Sequence, residues 1–248
     1  MSYTRPRESG HYIFASSDYV DFTCETVPNN DIDVFLYKLY SKRNNEFWAR
    51  YHHGSRIINN FQNRKITIHQ LTKHEPDDLT PHTTVIAALA GEIWREHYTP
   101  IIGAEQVEYM LAKFQSAEHI YADIKENGYT YFIAKCEKHH ECNPIIGYCA
   151  VAPRDDHLFL SKMYVKSEER GRGISRGFLE EAYALCRWEY GVDKIRLTVN
   201  KHNENAIAVY HKMGFETIES AKIDIGGGFY MDDYVMERRM VWPENKED

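Results

Sequence analysis

This sequence has few of the features that would place a protein on a membrane, outside the cell or on nucleic acid. Its 248 residues contain no apolar run approaching the roughly eighteen residues of a membrane span, and its N-terminus has no apolar stretch typical of a signal peptide. Thirty Lys and Arg against 37 Asp and Glu give a net charge of -7, opposite in sign to most non-specific nucleic-acid or anionic-membrane binders. We therefore expect no nucleic-acid partner and no membrane partner.

Cysteine is also scarce, with five residues and hence an odd number. Since no secretion signal is visible, we expect reduced thiols and a cytoplasmic location. The densest group contains Cys136, His139, His140 and Cys142, four candidate zinc ligands within seven residues. This spacing is too compact to wrap easily around one tetrahedral ion. We expect a solvated turn there and no metal.

The composition that is present, 43% apolar and 27% charged, is typical of a globular chain. The hydrophobic pattern changes near residue 65. Residues 1–64 are predicted to form an N-terminal, mainly helical extension of unknown role, because much of this part has helical apolar spacing. Its predicted elements are strands at 11–14 and 19–24 and helices at 31–45 and 46–61.

Residues 65–248 are predicted to form one α+β domain. Strands outnumber helices there, and a run of antiparallel strands precedes a strand–helix–strand unit, which predicts a mixed sheet. The predicted strands are 66–71, 129–136, 145–152, 157–165, 194–199, 215–223 and 229–240, and the predicted helices are 83–97, 105–114, 117–126, 174–189 and 204–213.

One strand-to-helix connection has the features of an anion site. A predicted strand ends at Val165, and residues 170–175, Arg-Gly-Arg-Gly-Ile-Ser, begin an amphipathic helix. Glycines allow close backbone approach, and the first N–H groups of a helix, aided by the helix dipole and two arginines, can bind a pyrophosphate. Taken alone, this segment can equally be an ordinary turn. The dinucleotide fingerprint G-x-G-x-x-G is not present.

A second motif follows about thirty residues later, and together the two resemble the GNAT superfamily of acetyl-CoA-dependent N-acetyltransferases. The family patterns are R/Q-x-x-G-x-G/A at a helix start and N-x-x-A-x-x-x-Y-x-x-x-G-F. The resemblance covers residues 65–240 and implies a mixed, mostly antiparallel GNAT sheet flanked by helices. In the first motif Arg170 and Gly173 match, and Ser175 is a small departure because the family has Gly or Ala there. The matching residues of the second motif are Asn203, Ala206, Tyr210, Gly214 and Phe215.

The resemblance implies acetyl-CoA as co-substrate and a set of residues that hold it. Backbone groups at the strand end would bind the pantetheine arm, the amides of the helix start would bind the pyrophosphate, and an asparagine would contact the arm. Asn203 can instead be a helix N-cap, and the two roles can coexist. The implied cofactor-binding residues are Met163, Tyr164, Val165, Arg170, Gly171, Arg172, Gly173, Ile174, Ser175 and Asn203.

The resemblance also implies that Tyr210 lies near the sulfur of CoA, where its phenol could protonate the departing thiolate. The amide of Val165 could stabilise the oxyanion. A core tyrosine is the alternative for Tyr210. Family members that act on N-terminal alanine carry a glutamate twelve residues before this tyrosine, where this chain has Thr198. Deprotonation of the amine would therefore fall to an ordered water or to a carboxylate elsewhere.

Two acidic segments are expected beside the acceptor pocket. The glycine-rich connection between the last two strands leads to Asp232 and Asp233, which could attract a cationic amine, although a flexible hairpin is the alternative. Asp77 and Asp78 lie in the other loop expected at this pocket, although a plain solvated loop is an equally good interpretation of this segment. Within the family, the chain is most similar to small bacterial acetyltransferases, including the spermidine/spermine type and the protein N-terminal alanine type. The former type has stretches similar to residues 203–210 and 231–236.

These observations predict transfer of an acetyl group from acetyl-CoA to a primary amine, either a small amine or a polyamine. Two alternatives stay open. One is a peptide or protein N-acetyltransferase in which residues 1–64 help to recognise the polypeptide. The other is a non-catalytic acyl-CoA-binding module, which the missing glutamate would permit but which has no need of Tyr210. A homodimer is left open.

Overall fold

The computed structural model describes residues 12–14, 55–59, 65–74, 78–137 and 145–241. Within these residues the chain forms nine strands and five α-helices. The strands are β1 (Tyr12–Phe14), β2 (Ser55–Asn59), β3 (Lys65–Leu71), β4 (Thr130–Glu137), β5 (Ile145–Pro153), β6 (Leu158–Val165), β7 (Lys194–Asn200), β8 (Glu216–Gly226) and β9 (Phe229–Arg239). The helices are α1 (Thr80–Ile102), α2 (Ala104–Phe114), α3 (Ala117–Lys125), α4 (Ile174–Leu185) and α5 (Glu204–Lys212).

Strands β3 to β9 form a mixed seven-stranded sheet, and β1 and β2 extend it beyond β3. The strand order is β1-β2-β3-β4-β5-β6-β7-β9-β8. Neighbours β6 and β7 are parallel, and every other described pair is antiparallel. The parallel pair arises because α4 connects β6 to β7 as a crossover. The α+β class and the mostly antiparallel mixed sheet are confirmed.

Helices cover both faces of the sheet. Helices α1, α2 and α3 pack on one face, the α1 face, where Ile86, Ile93 and Trp94 repeat with helical spacing and are buried. Helix α4 packs on the opposite face, the α4 face, with Phe178 and Leu179 in its core. The candidate site therefore lies in a sheet that is supported from both sides.

One predicted helix is wrong over part of its length. Residues 46–61 were expected to be helical, but Ser55–Asn59 is strand β2, in which Ile57 lies opposite Thr67 of β3. Consecutive β-branched residues favour a strand when a neighbouring edge can pair with them. The expected strand at 11–14 is confirmed as β1, whereas the segments expected at 19–24 and 31–45 lie outside the described residues. The division at residue 65 stays a prediction, although β2 pairs with β3 across it.

The predicted elements after residue 65 are confirmed with small shifts of their ends. Helix α1 is longer than predicted at both ends. The helix expected to continue to residue 189 ends at Leu185, and the π-helical turn Cys186–Tyr190 follows it. In the described part of the chain, no helix is both long enough and apolar enough to cross a membrane.

Candidate functional site

An opening forms where β6 and β7 stop pairing. Their parallel pairing joins Leu158–Leu160 to Ile195–Leu197 and goes no further among the described residues. The register between β5 and β6 shifts at the same point, which leaves Ser161 as an extra residue on β6. Such a bulge bends its strand. The bulge therefore accounts for the end of the pairing and for the separation of the two strands beyond it.

The edge of β6 along this opening offers backbone groups to a ligand. Lys166 N–H donates to Ile146 O on β5 at 3.0 Å. Because backbone groups alternate in direction along a strand, those of Tyr164 also face β5, whereas those of Met163 and Val165 face the opening. Of the three residues predicted to bind the pantetheine arm, these two have their N–H and C=O groups on the correct edge.

The segment predicted to bind a pyrophosphate is an open turn at the start of α4. Gly171 and Gly173 have φ of +74° and +78°, in the left-handed region that favours glycine, and a Cβ on either would meet no atom within 4 Å. The first hydrogen bond of α4 runs from Gly177 N–H to Gly173 O at 2.9 Å, so the amides of Ile174 and Ser175 have no partner within the helix. These amides, at the positive end of the helix dipole, fit a pyrophosphate.

The two arginines of this turn are held by the protein itself. Arg172 Nη1 donates to Oε2 of the buried Glu169 at 2.6 Å. Arg170 Nε donates to Val165 O at 3.2 Å, and the Arg170 side chain also lines a neighbouring pocket. The backbone amides therefore form the centre of the candidate anion site, with Arg170 beside them.

The neighbouring pocket has a volume of about 350 Å³ and lies between the last turns of α1, Arg170 and the start of α5. Asn203 lines it and is 3% exposed. Its Oδ1 accepts a hydrogen bond from Ala206 N–H at 3.3 Å and lies 3.2 Å from His97 Nε2. Asn203 is thus the N-cap of α5, as its alternative interpretation had it, and it still borders the pocket.

Tyr210 belongs to a cluster of phenols beside the opening. Its half-buried ring packs on Phe215 with 5.7 Å between centroids. Burial raises the pKa of Tyr210 above its usual value, so the phenol stays protonated at neutral pH. Burial also raises the pKa of Tyr98 on α1, whose hydroxyl hydrogen-bonds with Tyr164 and Asn203. A protonated phenol in this position can donate a proton.

Two residues of the site, His97 and Tyr98, were missed by sequence reasoning. Both contact Asn203, which lies 106 residues after His97 in the chain. Burial lowers the pKa of His97, against the effect of the Asn203 hydrogen bond, so this imidazole is mostly neutral at neutral pH. Neither residue belongs to a motif, and the only available signal was a pair of polar aromatic residues near the end of an amphipathic helix.

The two aspartates predicted to attract the acceptor have different environments. Asp232 forms an ion pair with Lys201, whose hydrogen bond lowers the pKa of this carboxyl. Asp233 is 8% exposed, and burial raises its pKa to about 6 even though the Thr198 hydroxyl donates a hydrogen bond to it. Asp232 is thus a neutralised surface charge, and Asp233 is a buried carboxyl that titrates near neutral pH.

The glycine-rich hairpin between β8 and β9 is fastened to α2. Tyr109 OH and Lys113 Nζ each donate to Ile225 O at 2.6 Å, and Gln106 Nε2 donates to Tyr230 O at 2.7 Å. These contacts argue against the flexible hairpin that was its alternative interpretation. Helix α2 therefore holds this hairpin on the α1 face of the sheet.

Asp78 lies far from these groups. Its carboxylate accepts hydrogen bonds from the Thr80 N–H at 2.9 Å and from the Thr80 hydroxyl at 2.6 Å, at the start of α1. At 1.5 Å per residue, His97 is about 25 Å further along this helix. The structure therefore does not bring Asp78 to the pocket, and Asp77 lies outside the described residues.

Of the cysteine–histidine group, Cys136 is buried in β4, and His139, His140 and Cys142 lie outside the described residues. Among the residues that the structure does describe, no group of three His, Cys, Asp or Glu side chains is arranged to hold a metal ion. The absence of a metal at this group stays a prediction.

Known proteins share part of the sequence. The model of the acetyltransferase (GNAT) family matches residues 88–215, more than half of the chain. The L-amino acid N-acetyltransferase AaaT of Escherichia coli K12 is 38% identical over 88 residues, 35% of this chain and 54% of that protein. An N-alpha-acetyltransferase of Saccharolobus solfataricus is 27% identical over 132 residues, 46% of this chain and 72% of that protein. The match with AaaT thus spans about half of that relative's length.

Solved structures share the fold. The PaiA N-acetyltransferase of Thermoplasma acidophilum, in complex with coenzyme A, superposes with a TM-score of 0.55 at 22% identity, covering 70% of this chain and 98% of that chain. A GCN5-related N-acetyltransferase of Rhodopseudomonas palustris gives a TM-score of 0.54 at 15% identity, covering 70% and 94%. Because the family model matches more than half of the chain, the chain belongs to the acetyltransferase (GNAT) family, and its fold agrees with this assignment.

Proposed function

We propose that this chain transfers the acetyl group of acetyl-CoA to a primary amine, either a small amine or a polyamine. The observation that carries the proposal is the open glycine turn at Gly171 and Gly173 next to the unpaired edge of β6. A backbone anion site followed by an extended row of backbone groups suits a pyrophosphate that continues into a pantetheine arm. Membership of the acetyltransferase family and the phenol of Tyr210 support acetyl transfer at this binding site, in addition to cofactor binding.

Each group of the site has a chemical role in this proposal. Acetyl-CoA supplies an activated thioester. Met163 and Val165 orient the arm through their backbone groups, and the Val165 N–H stabilises the oxyanion that forms when the amine attacks. Tyr210, kept protonated by burial, donates a proton to the departing thiolate. Asn203 caps α5 and so keeps Tyr210 in place, and it contacts the arm from the pocket side.

A cationic acceptor is supported by the charges of the chain. The net charge is -7, and Asp233 places a carboxylate on the α1 face of the sheet, where it attracts an ammonium group. Asp232 contributes less than the sequence suggests, because Lys201 already neutralises it. The similarity to an L-amino acid N-acetyltransferase favours a second candidate acceptor, an α-amino acid, whose ammonium group is also cationic.

The deciding experiment is an acceptor screen with the purified protein. Acetyl-CoA is offered with diamines and polyamines, L-amino acids and peptides with a free N-terminus, and release of CoA is followed with a thiol reagent. We expect the highest kcat/KM for a di- or polyamine. If a peptide or an amino acid reacts faster than every di- and polyamine, that class of molecule is the acceptor instead. Binding of acetyl-CoA without CoA release from any acceptor supports the non-catalytic module and overturns the proposed function.

A further inference from the structure

The structure offers a general base in a residue that the sequence assigned only to substrate attraction. We propose that the carboxylate of Asp233 removes the proton from the acceptor ammonium, an assignment that rests on the proposed function. The sequence left the base open because Thr198 carries no carboxylate. In the fold, the Asp233 carboxylate lies directly beside the Thr198 hydroxyl and comes from the neighbouring strand β9.

Asp233 and Thr198 project from the same face of the sheet. In β7, Leu197 and Val199 pack on the α4 face, so the residue between them, Thr198, points to the α1 face. In β9, Met236 packs on the α4 face, and by the same alternation Asp233 points to the α1 face. The opening between β6 and β7 starts at this level of β7, beyond Leu197. Asp233, opposite Asn200, therefore lies on the α1 face one strand beyond β6 and β7, across β7 from the place where the two strands separate.

Asp233 lacks the partners of a carboxylate that serves stability alone. Asp123 is such a carboxylate in this chain, since it is 3% exposed and accepts a hydrogen bond from Lys162 Nζ at 2.8 Å. Asp233 is buried to a similar degree, yet no lysine or arginine of the described residues forms an ion pair with it. The lysine whose charge acts on it, Lys201, is bonded to Asp232 instead. A buried carboxylate without a cation destabilises the folded protein. A role other than stability would explain why this chain has one at position 233.

The surroundings of Asp233 set its proton affinity. Burial and the negative charge of Asp232 raise the pKa of Asp233 to about 6, against the opposing effects of the Thr198 hydrogen bond and the Lys201 charge. The carboxyl is therefore ionised at neutral pH but is a stronger base than an exposed aspartate, which suits proton transfer near pH 7. The titratable or polar groups that act on it are Thr198 on β7, Lys201 after β7, its neighbour Asp232 on β9 and Tyr98 on α1. The uncharged Asn200 on β7 and Ala221 on β8 lie opposite it.

Tyr98 links this base to the proposed acid. The charge of Asp233 contributes to the raised pKa of Tyr98, and Tyr98 in turn contributes to the raised pKa of Tyr210, with burial the larger cause for both phenols. Asp233 and Tyr210 therefore both lie within electrostatic reach of one hydroxyl group.

The protons of the reaction balance with these two groups. The ammonium R–NH₃⁺ gives one proton to the Asp233 carboxylate, which later releases it to solvent. The free amine attacks the thioester carbon, so that a C–N bond forms and the carbonyl oxygen becomes an oxyanion. When the C–S bond breaks, the thiolate takes the phenolic proton of Tyr210, and the phenolate recovers a proton from the new N–H₂⁺ group. The products are the N-acetylated amine, CoA as the free thiol and one proton in solution.

The test is the pH dependence of kcat/KM for the best acceptor between pH 5 and 9.5, measured for the wild type and three variants. We expect the wild-type rate to rise with a midpoint near pH 6. Asp233→Asn keeps the shape and can still accept from Thr198, yet it should lower kcat/KM about 100-fold at pH 7.5 and lose this rise. Asp233→Glu should restore part of the activity. Asp232→Asn, the matched neighbouring carboxylate, should keep the rise but move its midpoint to a lower pH, because the charge of Asp232 raises the pKa of Asp233.

A weakly basic acceptor separates the base from a merely structural residue. An amine that is already neutral at pH 7.5 needs no deprotonation, so the deficit of Asp233→Asn should shrink to about tenfold or less with it. An active wild type combined with an unchanged rise near pH 6 in Asp233→Asn, or with an equal deficit for both amines, overturns the base assignment and leaves the proposed function intact. A wild type that transfers acetyl to no amine overturns both.

Discussion

Replacing Asp233 by asparagine should make the folded protein more stable at neutral pH, although it removes the proposed base. Asp233 has a pKa of about 6 in the folded protein, against an ordinary value of 3.8. Each pKa unit corresponds to about 1.4 kcal/mol, so keeping this carboxyl ionised destabilises the folded state by up to about 3 kcal/mol. Asparagine fills the same space and carries no charge, and it therefore avoids this destabilisation.

The pH dependence gives the prediction its sign. Because the folded-state pKa lies above the unfolded one, the folded chain binds the proton more tightly, and its stability falls as pH rises from about 4 to above 6. The variant lacks this titration. The difference in unfolding free energy between Asp233→Asn and the wild type should therefore be small at pH 4 and should grow by about 2 kcal/mol in favour of the variant by pH 8.

Urea denaturation at pH 4, 5, 6, 7 and 8 measures this difference, with circular dichroism and fluorescence as coincident probes. Asp232→Asn is the matched control and should behave in the opposite way, since its carboxyl has a lowered pKa and the ion pair with Lys201 is present only at higher pH. The reasoning is refuted if Asp233→Asn is less stable than the wild type at pH 8. A difference that does not change with pH refutes it equally.

Three further predictions follow from the cofactor site and the charges. Gly173→Val should abolish acetyl-CoA binding in calorimetry. Gly128→Val is the control, since Gly128 has a similar φ of +74° and similar open space. It should suffer a comparable strain of at least about 1 kcal/mol and still bind acetyl-CoA. Unchanged affinity of a folded Gly173→Val protein would place the pyrophosphate elsewhere. Tyr210→Phe should keep the affinity for acetyl-CoA and lose about 100-fold in kcat. Tyr121→Phe, on the surface of α3, should match the wild type. Equal turnover of the two variants would favour a core role for Tyr210. Finally, kcat/KM for a polyamine should fall as NaCl is raised, while that for an uncharged amine changes little, and a salt-independent polyamine rate would contradict electrostatic attraction.

The sequence determined those parts of the protein that depend on neighbours along the chain. Apolar periodicity identified the strands and helices after residue 65, because period-two and 3.6-residue patterns reflect which face each element buries. The turn at residues 170–175 and the motif that begins at Asn203 were also readable, since a helix start with glycines and an N-cap are local features. Strand β2 was missed because the apolar residues of 46–61 also fit helical spacing, and the pairing of Ser55–Asn59 with β3 selects the strand instead.

Only the tertiary structure decided how the polar groups of the site divide their roles. His97 and Tyr98 reach Asn203 because the end of α1 and the start of α5 border the same pocket, a contact between residues about a hundred positions apart. Asp232 and Asp233 look equivalent in the sequence, yet the strand alternation sends them to opposite faces, where one meets Lys201 and the other is buried beside Thr198. Burial, and with it the pKa that makes Asp233 a candidate base, depends on what the rest of the chain places around a residue, and a sequence pattern carries no measure of that.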